Sequence, residues 1–95
     1  MSAYLIGQMI VKNSELWQQY VDGVQESLTP FDADIVFRGR QSAVLAGENE
    51  RDLVVVIKFA DRLMLECWFQ SEKYQSLIPL RDEAADVVIT TYDSY

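Results

Sequence analysis

Arg38 and Arg40 stand two apart in the run Phe37-Arg38-Gly39-Arg40. On a strand, side chains two apart leave the same face, so the two guanidiniums point together. A guanidinium grips a carboxylate or enolate through two parallel hydrogen bonds. The pair is therefore a candidate anchor for a small organic anion, with Arg40 the weaker candidate because it lies nearer the strand end. The plainer alternative is ion pairing with local Asp or Glu, within the chain or across a subunit boundary. A second group is aromatic: Trp17, Tyr20, Trp68, Phe69 and Tyr74. Aromatics at helical spacing are ordinarily core, and Trp17 and Trp68 read that way first, although they could also wall an apolar pocket. Tyr20 and Tyr74 carry hydroxyls that need a partner when buried, which makes them better pocket candidates. Arg81, after Pro79-Leu80, could close a pocket edge as a second cation or pair with Asp82, Glu83 or Asp86.

Other chemistries are excluded by residue type. The chain has no histidine, which removes imidazole bases, His-based triads, histidine metal ligands and a proximal haem ligand together. No carboxylate pair stands at a spacing that argues acid–base work, and no Gly-rich phosphate loop or Cys/His metal cluster is present. Catalytic residues stay unassigned, and neither a metal nor a cofactor is expected. With 8 Lys+Arg against 15 Asp+Glu the net charge is −7, which repels nucleic-acid backbones and anionic lipid. The longest purely apolar stretch, Leu53 to Ile57, is far below the roughly 20 residues of a membrane span. Cys67 is the only cysteine, so no intrachain disulfide forms, and it reads as a buried structural thiol. The start, Met1-Ser2-Ala3-Tyr4-Leu5, reads as a strand rather than a signal peptide. These features point to a cytoplasmic protein.

The elements that must position the candidate residues follow from periodicity. The 95 residues suffice for one domain, 1–95. Ala3 to Val11 reads as a first strand. Asn13 or Ser14 caps a helix whose apolar face is Leu16, Trp17, Tyr20, Val21, Val24 and Leu28, ended by Thr29-Pro30. Ile35 to Arg40 is a second strand, continued as extended chain through Gln41 to Ala46 after a kink or bulge at Gly39. Gly47 to Glu50 turns, and Leu53 to Phe59 is a third strand. Asp61 caps a helix over Arg62 to Gln70. Ser71 opens a further helical turn, Pro79 interrupts it, and Leu80 to Ala85 continues helically. Asp86 leads into a last strand, Val87 to Tyr92. The order β-α-β-β-α-β is that of a ferredoxin-like α+β sandwich: one four-stranded antiparallel sheet with helices on one face.

An open sheet of this kind normally alternates apolar and polar residues, because one face meets water. These strands do not. Val54 and Val56 oppose Leu53, Val55, Ile57 and Phe59, while Tyr4, Ile6 and Ile10 oppose Ala3, Leu5, Met9 and Val11. Two apolar faces need two covers, and the simplest second cover is another copy of the same sheet.

Two stretches carry a family resemblance: Phe37-Arg38-Gly39-Arg40, and Trp68-Phe69-x-Ser71-x-x-Tyr74-x-x-Leu77-Ile78-x-Leu80-Arg81, with Val55-Val56-Ile57-x-Phe59 leading into the second. Over nearly its whole length the chain resembles the DUF1330 family of the dimeric α/β-barrel superfamily. The resemblance implies a ferredoxin-like subunit and a homodimer whose sheets form a barrel. It implies little about chemistry, since the wider superfamily includes cofactor-free monooxygenases, lactone isomerases and haem enzymes. The family usually has a Gly pair before the second strand, where this chain has Ala33-Asp34. Two functions are expected from these readings. One is a homodimeric small-molecule protein, a cofactor-free enzyme being one form of it, that binds a small organic anion through Arg38 with Tyr20, Tyr74, Trp17, Trp68 and Arg81 around it. The other is a non-catalytic interaction module whose arginines are structural.

Overall fold

The computed structural model describes all residues, Met1–Tyr95. Its elements are β1 (Ala3–Val11), α1 (Ser14–Leu28), a 3-10 turn (Thr29–Phe31), β2 (Asp34–Arg40), β3 (Leu53–Phe59), α2 (Arg62–Gln70), α3 (Glu72–Gln75), α4 (Ile78–Ala84) and β4 (Ala85–Asp93). The strands form one antiparallel sheet in the order β2-β3-β1-β4. Local chemistry explains most boundaries. The Asn13 side chain accepts from the Leu16 N–H, Asp61 from Met64 and Ser71 from Tyr74, each satisfying an otherwise orphaned helix donor. Asp32, at φ 48°, makes the left-handed turn into β2, a conformation Asp tolerates better than most residues.

Four features differ from the sequence expectation. Pro79 does not interrupt a helix; it stands in the first turn of α4, where a missing N–H costs nothing. β4 begins at Ala85 rather than Val87, beside an Ala84 carbonyl that accepts from the backbone N–H of Lys12 and Asn13 at 2.8 and 3.0 Å. Gln41 to Ala46 does not prolong the sheet. After the Gln41 N–H to Asp52 carbonyl bond the chain has no strand opposite it, and the loop stays exposed. Cys67 is exposed, not buried, because α2 turns Leu65 and Trp68 inward and leaves Cys67 on the outer side.

A fifth difference decides which side chains meet the helices. The irregularity in β2 lies between Ile35 and Phe37, not at Gly39: Ile35 pairs with Ile57, yet Phe37 pairs with Val56. Val36 is the extra residue of a β-bulge, and a bulge reverses which face every later side chain meets. Arg38 and Arg40 consequently share the face of their partners Val55 and Leu53. Phe37 and Gly39 go to the opposite face, where the Phe37 ring lies over Gly39 so closely that a Cβ there would sit 2.6 Å from a ring carbon.

The helices cover the face that carries Leu5, Ile57 and Phe59, which pack with Tyr20, Val24 and Leu28 of α1 and Leu65 and Trp68 of α2. Trp68 is the centre of this core. Its ring stands 4.3 Å from that of Tyr74 and 5.5 Å from that of Phe59, and its indole N–H donates to Ser27 Oγ at 2.9 Å. The buried hydroxyls of Tyr20 and Tyr74 meet at 2.9 Å, and an Arg81 guanidinium N–H donates to Tyr74 at 3.1 Å. Burial, reinforced by the Tyr74 phenol, holds the Tyr20 proton far above the usual phenol range. For Arg81, burial works against the charge, but the Tyr74 hydroxyl and Asp82 outweigh it and raise the guanidinium above its usual value.

Because the folded chain holds the Tyr20 proton more tightly than the unfolded chain does, this stabilisation is complete below the unfolded value of 10.0 and fades as pH rises beyond it. Tyr20→Phe is expected to cost about 1 kcal/mol at neutral pH through the lost hydroxyl pair and to flatten the loss of stability above that pH. Denaturant titrations across the alkaline range check both; an unchanged alkaline slope would contradict the assignment.

Candidate functional site

On the helix-facing side, cross-strand partners align in rows. One row is Arg40, Leu53, Met9 and Val87; the next is Arg38, Val55, Gly7 and Ile89; the third is Ile35, Ile57, Leu5 and Thr91. Between these rows and the Trp17, Tyr20, Val21 and Val24 face of α1 lies a cavity of about 360 Å³, within the size range of small-ligand sites. Of its eighteen lining residues fourteen are apolar, so the guanidiniums of Arg38 and Arg40 supply its positive charge. Both arginines are exposed and sit on edge strand β2, which places them at the rim.

Their pairing separates them. Arg40 meets Asp52 at 3.4 Å, Arg51 meets Asp86 at 3.2 Å, Arg62 meets Asp93 at 3.4 Å, and Arg81 meets Asp82 at 3.1 Å. Arg38 has no carboxylate partner and no side-chain hydrogen bond, alone among the five arginines. In a chain of net charge −7, a cation left unpaired beside an apolar hollow is open to an anion from solution.

The remaining candidates divide. Trp17 is half-buried, lines the cavity and stacks on Tyr20 with ring centres 5.1 Å apart. Tyr20 lines it too, while its hydroxyl engages Tyr74. Trp68 reaches the wall from within the core, held by Ser27. Tyr74 is fully buried behind Tyr20 and is not part of the cavity lining. Arg81 opens instead on a separate cleft beside β4, with Arg62, Glu66, Phe69 and Thr91. The structure thus gathers Arg38, Trp17, Tyr20 and Trp68 around one space and sets Tyr74 and Arg81 outside it as a support for Tyr20. No group of three or more metal-ligating side chains is assembled.

Two contributors escape sequence reasoning. Gly7 sits at the middle of the cavity's sheet side, and its signal is visible: a glycine inside an otherwise apolar strand weakens the strand and often marks a close approach. The Val36 bulge has a fainter signal, three consecutive apolar residues, Ile35 to Phe37, that strict alternation cannot accommodate.

No curated protein matches the chain in sequence. Solved structures do resemble it. A protein of unknown function from Rhodopseudomonas palustris superposes with a TM-score of 0.82 at 12% identity, covering 99% of this chain and 82% of that one. A dimeric ferredoxin-like protein of unknown function from Jannaschia gives 0.71 at 8% identity, with coverage of 99% and 100%. SnoaB, a cofactor-independent oxygenase from Streptomyces nogalater, gives 0.68 at 6% identity, with coverage of 99% and 93%. At such identities the likeness is one of fold, and it agrees with the ferredoxin-like arrangement of sheet and helices. The model of a domain of unknown function, DUF1330, matches residues 2–94, and the chain belongs to that family.

Proposed function

We propose that the protein binds a small organic anion in the cavity between α1 and the sheet, with Arg38 as its charged anchor, and that it works as a homodimer joined through the uncovered sheet face. The observation that carries the first part is the unpaired Arg38 on the rim of an otherwise apolar hollow. A guanidinium there meets a carboxylate or enolate while the ligand's hydrocarbon part leaves water. Arg38 and Arg40 are cations and Tyr20 keeps its proton, so the groups around the space stabilise negative charge rather than withdraw a proton. Catalysis by such a set would favour a transition state that gains negative charge on the ligand, with no cofactor needed for that effect. The cofactor-independent oxygenase among the structural neighbours is consistent with chemistry of that kind on this fold.

Support for the dimer comes from area. The molecule is a slab of 34 × 33 × 16 Å, two layers thick. Its uncovered side carries Tyr4, Ile6, Val54, Val56, Phe37, Val88 and Tyr92 by register, and Phe37 and Val88 are 55% and 43% exposed. A monomer of this mass ordinarily exposes roughly 5,600 Å²; this chain exposes 6274 Å². The broad side is ample for the roughly 800 Å² per partner of a standard interface. The dimeric neighbour from Jannaschia fits the same reading.

In calorimetric titration with a panel of aromatic and aliphatic carboxylates, Arg38→Ala is expected to weaken the best binder by at least about tenfold, or 1.4 kcal/mol. The matching primary amide should bind both forms alike. Equal carboxylate affinity in the two proteins would overturn the anchor. Val56→Lys, at the centre of the uncovered face, should convert a particle of twice 10.9 kDa into one of 10.9 kDa in light scattering; a wild type that is already a monomer would refute the dimer.

A further inference from the structure

Gly7 withholds a side chain from the sheet side of the cavity. Gly7 lies on central strand β1, facing the helices, with Val55 on one side and Ile89 on the other. Its backbone is not in the left-handed region, so no turn requires glycine there. A Cβ at Gly7 would come within 3.2 Å of a Val55 methyl and 3.4 Å of the Met9 methyl, so the stiff, β-branched Val55 would have to give by a few tenths of an ångström while the flexible Met9 end swings aside. A side chain is therefore sterically admissible, and a β-branched one would suit a central strand better than glycine does. The strand gives up that stability at a position where a side chain would rise into the cavity that Trp17 and Tyr20 also line.

Resting on the binding reading above, we infer that Gly7 is the specificity-determining residue of the site and that the ligand is a flat, conjugated ring bearing its negative charge at one edge. The omission of one side chain leaves bare backbone at the middle of the cavity's sheet side. The floor is backbone at Gly7 with Leu5, Met9, Val55 and Ile89 around it, and the roof is the tilted pair of Trp17 and Tyr20. A planar π-system fits between such surfaces and stacks on the roof; a puckered ring of the same carbon skeleton is thicker. Arg38 stands in Gly7's own row, one strand beyond Val55, roughly 10 Å away across two strand spacings. An arginine side chain and a ring-borne carboxylate together span that gap. The charge must then lie in the ring plane and at the ring's margin.

The test compares 2-naphthoate with decahydro-2-naphthoate, which share skeleton and charge and differ in flatness. The wild type should bind 2-naphthoate at least tenfold more tightly. Gly7→Val should retain or raise the melting temperature of the unliganded protein while weakening 2-naphthoate at least tenfold. Gly7→Ala, which asks only a few tenths of an ångström of Val55 and Met9, should weaken it by less and serves as the second variant if Gly7→Val does not fold. Equal affinity for the two acids, or Gly7→Ala and Gly7→Val proteins that bind 2-naphthoate as the wild type does, would overturn the inference. Should Arg38→Ala still abolish binding of both acids, the anion site survives and only the flat-ligand assignment falls; should neither acid respond to Arg38, the underlying reading fails.

Discussion

A sheet that is apolar on both faces must be covered twice, and a chain of this length has helices enough to cover it once. The odd-numbered residues of β1 and β3 spend themselves on α1 and α2, giving a core around Trp68, Phe59 and Leu5. The even-numbered residues, Ile6, Val54 and Val56 among them, have no element of their own chain above them. Only 15 of 95 residues are buried, few for a sequence that is 49% hydrophobic. Part of the difference lies on the uncovered side, where Phe37, Val88 and Tyr92 are exposed, and an apolar patch there favours a covering partner.

Within the covered face, two backbone features shape the lining of the cavity. The bulge at Val36 brings Arg38 and Arg40 to the helix side, where strict alternation would have brought Phe37 and Gly39. Gly7 then contributes no side chain to Arg38's own row. Neither feature adds stability: a bulge forfeits ladder bonds and a strand glycine forfeits packing. Local concessions of this sort are expected where a fold is shaped for a ligand rather than for maximal packing. Tyr74 and Arg81 complete the arrangement from behind, fixing the Tyr20 hydroxyl without entering the space.

The element order, the caps at Asn13, Asp61 and Ser71, and the bounds of β3 and α2 are legible in the sequence because each rests on a local signal. The departures have equally physical causes. Pro79 reads as a break because proline ends helices as readily as it begins them. Cys67 reads as buried on the strength of Trp68 beside it, yet adjacent helical residues point about 100° apart. The pairing of Arg38 and Arg40 on one face is readable from spacing, but which face is not: a bulge is set by the partner strand's register. That Arg38 stays unpaired while Arg40, Arg51, Arg62 and Arg81 each find a carboxylate is a tertiary fact. So is the division of Tyr20 from Tyr74 and of Arg38 from Arg81.

The requirement for a second cover is tested most directly by thermal unfolding of the wild type over a hundredfold range of protein concentration. Where folding and pairing of two chains are linked, mass action makes the midpoint climb with concentration, here on the order of 5–10 °C across that range. A midpoint that stays fixed at every dilution would mean that each chain keeps its sheet folded alone, with one apolar side facing water, and would contradict the account.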